Sequence, residues 1–195
     1  MSSTNQREHR ISSELASFID ALRANAPAPD LARNLQMYSF LVGSWEMDVT
    51  IHKDDGSKAA TRGHIHAGWV LEGRAIQDVF AVPGLFYGTS IRFYDPHIDA
   101  CQVFWMDPLK QVFFRMIGRP QGNSIVNEGR ETPELARAYG LPKDRSATVR
   151  WIFTDITPTS FHWISDRSTD GRTWKVQREY FAHRIQSTSI LAVAG

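Results

Sequence analysis

Residues 38 to 55 read Tyr-Ser-Phe-Leu-Val-Gly-Ser-Trp-Glu-Met-Asp-Val-Thr-Ile-His-Lys-Asp-Asp. From Trp45 the run alternates, with Trp45, Met47, Val49 and Ile51 on one side and Glu46, Asp48, Thr50 and His52 on the other. Successive side chains of an extended chain point to opposite faces, so this pattern marks a strand with one face buried and one wetted. Gly43-Ser44 ahead of Trp45 sets a bulky indole at the start of the buried face.

Working outward from this strand, similar segments recur at 60–71, 74–82, 87–94, 100–106, 111–118, 123–129, 147–156, 159–166 and 174–183. Turn dipeptides separate them: Asp55-Gly56, Glu72-Gly73, Pro83-Gly84, Asp95-Pro96, Asp107-Pro108, Gln121-Gly122 and Asp170-Gly171. Glycine supplies the positive φ of a tight turn, and proline presets φ while removing a ladder donor. Short turns between many strands predict an all-β, antiparallel barrel of about eight to ten strands, a closure whose interior can hold one small ligand.

Two segments depart from the strand pattern. In residues 8 to 24, Ile11, Leu15, Phe18, Ile19 and Leu22 form one stripe of an amphipathic helix. Ala26-Pro27-Ala28-Pro29 ends it, and Asp30 is placed to cap a short second helix reaching about Met37. The stripe would either plug a barrel mouth or pack across a homodimer interface. Between strands, residues 131 to 145 carry Pro133 and Gly140 where a short helix starts and stops, an insertion expected over one barrel mouth. The expected organisation is a helical segment over 1–37, a barrel over 38–185 and a tail over 186–195.

Composition narrows the function classes. With 22 basic and 21 acidic residues well mixed, the net charge of +1 offers nothing to attract nucleic acid. No run approaches the roughly 18 apolar residues of a membrane span. The polar start has no hydrophobic signal core, so a cytoplasmic protein is expected. A single cysteine, Cys101, excludes an internal disulfide and argues against a structural zinc site. No nucleophile elbow, phosphate loop or dinucleotide fingerprint is present, and no cofactor is predicted.

The groups Gly43-Ser44-Trp45, Trp69-Val70-Leu71-Glu72-Gly73-Arg74, Tyr94-Asp95-Pro96 and Ser168-x-Asp170-Gly171-x-x-Trp174 resemble a bacterial family of lipocalin-like (calycin) domains of uncharacterised function. The Gly-x-Trp opening is shared with lipocalins, fatty-acid-binding proteins and nitrobindin-type haem barrels. The resemblance covers about residues 38 to 185. It implies the barrel fold and leaves function open, because such barrels include carriers, haem proteins and a few enzymes.

Candidate site residues follow from hairpin register. A two-residue Glu72-Gly73 turn sets Leu71 opposite Arg74, Trp69 opposite Ile76, Ala67 opposite Asp78 and Ile65 opposite Phe80. On that oily face Arg74 and Asp78 must be paired, hydrated or employed, so the two are expected to interact with each other or with a ligand. The bland reading is an ion pair that closes a barrel end. Arg115, between Phe113 and Ile117, is a second candidate anchor or a snorkelling side chain. Trp45, Trp69, Trp105 and Trp163 are candidate ligand-stacking rings, with Trp151 and Phe153 beside them, though aromatics at strand spacing also build cores. His64 and His66 alternate onto one face, and with His162 they could hold a metal, but no carboxylate at ligand spacing completes the set. His183 could ligate haem at a mouth, against the plainer reading of a solvated strand end.

These observations favour binding of a small hydrophobic or aromatic organic molecule inside the barrel. The rival is a cyclase, isomerase or lyase with Asp78 or His162 as acid or base in a dry cavity. A haem-binding barrel is a second alternative, and a pure interaction module would instead have a filled barrel. An unpaired carboxylate facing the cavity would favour catalysis, a paired one binding.

Overall fold

Strand β2 (Gly43–His52) occupies the alternating run that opens the barrel, and its Trp45, Met47 and Val49 are buried as the pattern requires. The structure, a computed structural model, describes residues 18–138, 140 and 147–186. Before β2 come α1 (Phe18–Leu22), the two-residue β1 (Arg23–Ala24), α2 (Ala32–Leu35) and a 3-10 helix (Gln36–Leu41). After it come β3 (Lys58–Val70), β4 (Ala75–Val82), β5 (Phe86–Asp95), β6 (Ala100–Asp107), β7 (Val112–Gln121) and β8 (Ser124–Arg130). Helix α3 (Pro133–Ala138), β9 (Thr148–Thr154), β10 (Ser160–Ser168) and β11 (Lys175–Arg184) complete the order.

Strands β2 to β11 each pair antiparallel with the next, and β11 pairs back onto β2 with Tyr180 opposite Val49. The ten strands therefore close into a barrel with no free edge between first and last. Antiparallel order also divides the connections between two ends. The 3-10 helix, the β3–β4 turn and the β9–β10 turn lie at one end. Helix α3, the β4–β5 turn and the β10–β11 turn lie at the other.

The first end is plugged. Tyr38 and Leu41 of the 3-10 helix are almost fully buried, and Trp45 donates its indole N–H to the Leu41 carbonyl at 2.8 Å. The Tyr38 hydroxyl donates to Asn127 Oδ1 on β8, and its ring meets Phe153 edge-on at 6.4 Å. At the other end Leu135 and Ala136 of α3 are buried. Glu131 anchors that helix by receiving two hydrogen bonds from the Arg167 guanidinium, at 2.7 and 2.9 Å.

The hairpin register around Asp78 matches the expectation, with Trp69 opposite Ile76, Ala67 opposite Asp78 and Ile65 opposite Phe80. Its tip does not. The last pair is Val70 with Ala75, and Leu71, Glu72 and Gly73 all take positive φ within the turn. A Cβ on Gly73 would collide with the Ala26 carbonyl, because residues 26–28 lie across the turn and the Ala28 N–H donates to the Gly73 carbonyl at 2.9 Å. This overlying segment selects glycine there and turns Leu71 outward.

Two helical expectations also change. Most of residues 8 to 24 lies outside the described residues. Within them the helix ends at Leu22, and Arg23 and Ala24 pair with Val70 and Trp69 as a strand, because β3 outruns β2 and offers unpaired backbone there. Asp30 does not cap α2, whose N-cap is Leu31 without a side-chain bond. Its carboxylate instead lies 3.3 Å from Arg74.

Candidate ligand cavity

Asp78 and Ser90 face each other across β4 and β5 and point into the barrel, where both are buried. One Asp78 oxygen accepts the Ser90 backbone N–H at 2.9 Å, and the other accepts Arg92 Nη1 at 2.7 Å. The two side chains are 6% and 3% exposed, so this is an ion pair out of water. Burial opposes the Arg92 charge, but Asp78 and the neighbouring Tyr38 and Tyr180 outweigh it and raise the Arg92 pKa. Its carbon lies 5.4 Å from the Tyr38 ring centre, which places it just above the plugged end. Arg92 Nε is buried without a hydrogen-bond partner. A buried donor left unmade costs about 1–3 kcal/mol, so this atom marks where an acceptor would be welcome.

Aromatic rings surround the pair. Phe80 meets Trp105 at 5.8 Å, Trp105 meets Trp151 at 6.1 Å, and Trp151 meets Trp163 at 5.8 Å. Trp163 stacks on Tyr180 at 4.7 Å, and Tyr180 returns to Phe80 at 5.8 Å. The five rings, drawn from β4, β6, β9, β10 and β11, form a closed circuit on the cavity wall. The cavity volume is about 50 Å³. At the α3 end, Arg178 lies over Phe86 at 4.8 Å and faces a neighbouring cleft beneath Leu135.

Burial changes the chemistry of the plugged end. Desolvation pushes the Cys101 thiol up to about 12, partly opposed by Arg92, so the thiol stays protonated and is no nucleophile at neutral pH. Burial likewise drives the Tyr38 and Tyr180 phenols well above their ordinary 10.0.

Of the residues expected from sequence, Asp78, Trp105, Trp151, Phe153 and Trp163 line the cavity. Trp45 and Trp69 are buried in the surrounding core, Trp45 edge-on to Phe161 at 4.8 Å. Arg74 does not meet Asp78. The turn carries it out of the barrel toward Asp30, and Arg92 takes the place expected of it. Arg115 is on the outer face, donating to Gln102 at 2.8 Å. His162 is also outside, stacked on Phe181 and 3.0 Å from Glu179, which accepts His52 as well at 2.8 Å. His64 and His66 lie on β3, three strands from His162, so those three imidazoles do not converge; His66 bonds Ser44 at 2.9 Å. His183 is exposed on the outer face opposite Glu46.

Sequence reasoning placed Phe80 on the Asp78 face by register but missed Arg92, Ser90, Tyr180 and Arg178. On β5 the outward residues Tyr87, Thr89, Ile91 and Phe93 are more apolar than the inward Gly88, Ser90, Arg92 and Tyr94. Hydrophobic parity therefore points the wrong way. Counting register across the Pro83-Gly84 turn, which brings Val82 opposite Phe86 and Asp78 opposite Ser90, was the signal that could have found Ser90 and Arg92.

The fold and cavity define a closed ten-stranded antiparallel β-barrel. Among solved structures it is similar to Rv2717c from M. tuberculosis, with a TM-score of 0.52 and 13% identity over 82% of this chain and 99% of that one. A redesigned beta barrel aligns with a TM-score of 0.34 and 13% identity over 76% of this chain and 94% of that one. The likeness to Rv2717c is one of fold. No protein-family model and no curated protein matches the chain. Among the described residues no helix is long and apolar enough to cross a membrane.

Proposed function

We propose that this barrel binds a small aromatic or hydrophobic organic molecule in its interior. The observation that carries this reading is the closed circuit of five aromatic rings around a cavity that opens at the α3 end. Ligand sites are concave, mostly apolar and furnished with a few fixed polar groups, and this cavity has that character. Asp78 supports binding over acid–base catalysis, because Arg92 and the Ser90 N–H already occupy both of its oxygens. His162 is outside the barrel and gives the cavity no second acid or base. The cavity volume is only about 50 Å³, so a ring-sized guest enters by displacing lining side chains such as Phe86.

Native mass spectrometry of freshly purified protein should reveal a co-purified small molecule. Stripped protein should show saturable quenching of Trp105, Trp151 and Trp163 fluorescence by 2-naphthamide. Absence of both an adduct mass and saturable quenching would refute the reading.

A further inference from the structure

We infer that the cavity selects uncharged ligands, aromatic bodies bearing a carbonyl oxygen, and that Arg92 is the residue that reads this oxygen. The inference rests on interior binding as proposed above and adds the ligand's charge and polar group. Asp78 and Arg92 line the cavity as a buried pair 2.7 Å apart, so their charges cancel out of water. Arg178, at the α3 end, lies over the Phe86 ring at 4.8 Å and is not a free charge. Both Asp78 oxygens are engaged, one by Arg92 Nη1 and one by the Ser90 N–H. Among the described residues the cavity lining leaves one buried side-chain polar atom without a partner, Arg92 Nε.

An unmet N–H calls for an acceptor, and the balanced pair beside it decides the acceptor's charge. A ligand carboxylate would set a second anion beside Asp78 around one guanidinium, leaving net negative charge in low-dielectric surroundings where it is strongly disfavoured. A ligand ammonium would bring a second cation to a carboxylate that is already engaged. A neutral carbonyl oxygen supplies the missing lone pair and leaves the balance intact. Its bond from the guanidinium is still charge-assisted, because the donor is ionised. A carbonyl conjugated to an aromatic body is planar, so the circuit from Phe80 to Tyr180 takes that body by stacking and edge contacts.

The test titrates the stripped full-length protein with 2-naphthamide, its anionic isostere 2-naphthoate and acceptor-free naphthalene, read by tryptophan fluorescence. The inference expects naphthamide to bind at least about tenfold tighter than naphthoate, equivalent to about 1.4 kcal/mol. Arg92→Lys keeps a cation opposite Asp78, and the double variant Asp78→Asn/Arg92→Met keeps the charge balance; both remove Nε. In each, the affinity for naphthamide relative to naphthalene should fall at least about fivefold, equivalent to about 1 kcal/mol. Naphthoate binding to the wild-type protein as tightly as naphthamide would overturn the selection for uncharged ligands and leave interior binding standing. An unchanged ratio of naphthamide to naphthalene affinity in either folded variant would overturn the assignment to Arg92. Failure of all three compounds to bind would remove both readings. The wild-type comparison needs no variant, so a poorly folding protein does not shield the inference.

Discussion

Asp78→Asn removes one charge from the buried pair while keeping a side-chain oxygen to accept the Ser90 N–H. What it takes away is the countercharge 2.7 Å from Arg92, whose side chain is 3% exposed. Breaking one partner of such a pair costs about 3–5 kcal/mol, because the surviving charge is left uncompensated away from water. For a domain of this size each kcal/mol lowers the melting temperature by about 2–4 °C, so the variant should melt about 6–20 °C below the parent. Against a total stability of about 5–15 kcal/mol, that is a large fraction. The double variant Asp78→Asn/Arg92→Met removes both charges and should recover most of the loss, since a buried pair replaced by neutral groups is often close to neutral overall. Differential scanning calorimetry on the parent, both single variants and the double variant closes the cycle. If Asp78→Asn melts within about 2 °C of the parent, or the double variant is as unstable as the two single losses added, the pair does not hold the Arg92 charge and the reasoning fails.

Tyr38→Phe leaves Asn127 Oδ1 without its phenolic donor at the plugged end and should cost about 1–3 kcal/mol in a thermal or urea melt. Cys101 should resist Ellman's reagent at pH 8 in the folded protein and react fully in guanidinium. Its folded pKa lies above the ordinary 9.0, so the folded state keeps a proton that the unfolded chain gives up. That contribution to stability is complete below pH 9 and is lost as pH rises toward 12, and Cys101→Ala should flatten part of this alkaline decline. Asp170 behaves oppositely: the backbone N–H groups of Thr173 and Arg172 and the Ser168 hydroxyl hold its carboxyl well below the ordinary 3.8. Its contribution is present above pH 3.8 and is lost as pH falls below it, so Asp170→Asn should lower stability at neutral pH and flatten the acid limb.

The residues that carry the family resemblance are mostly turn builders, and this explains why they convey fold without function. Asp95 accepts the His97 N–H at 3.0 Å, Asp170 organises the β10–β11 turn, and Trp174 stacks under Arg150 at 3.3 Å. None of them touches the cavity.

The chain by itself determined the positions of all ten barrel strands, the burial of Trp45, Met47, Val49 and Trp69, and the register that turns Asp78 inward. Those features depend on period-two alternation and turn chemistry, which act over a few neighbouring residues. Only the tertiary structure decided that Asp78 meets Arg92, fourteen residues away on the next strand, and not Arg74. It also decided that the more apolar side of β5 faces out, and that rings from five different strands converge into one circuit. These outcomes depend on how β11 closes onto β2 and on what overlies each turn, so the competition among arginines for a single carboxylate is settled by placement in space.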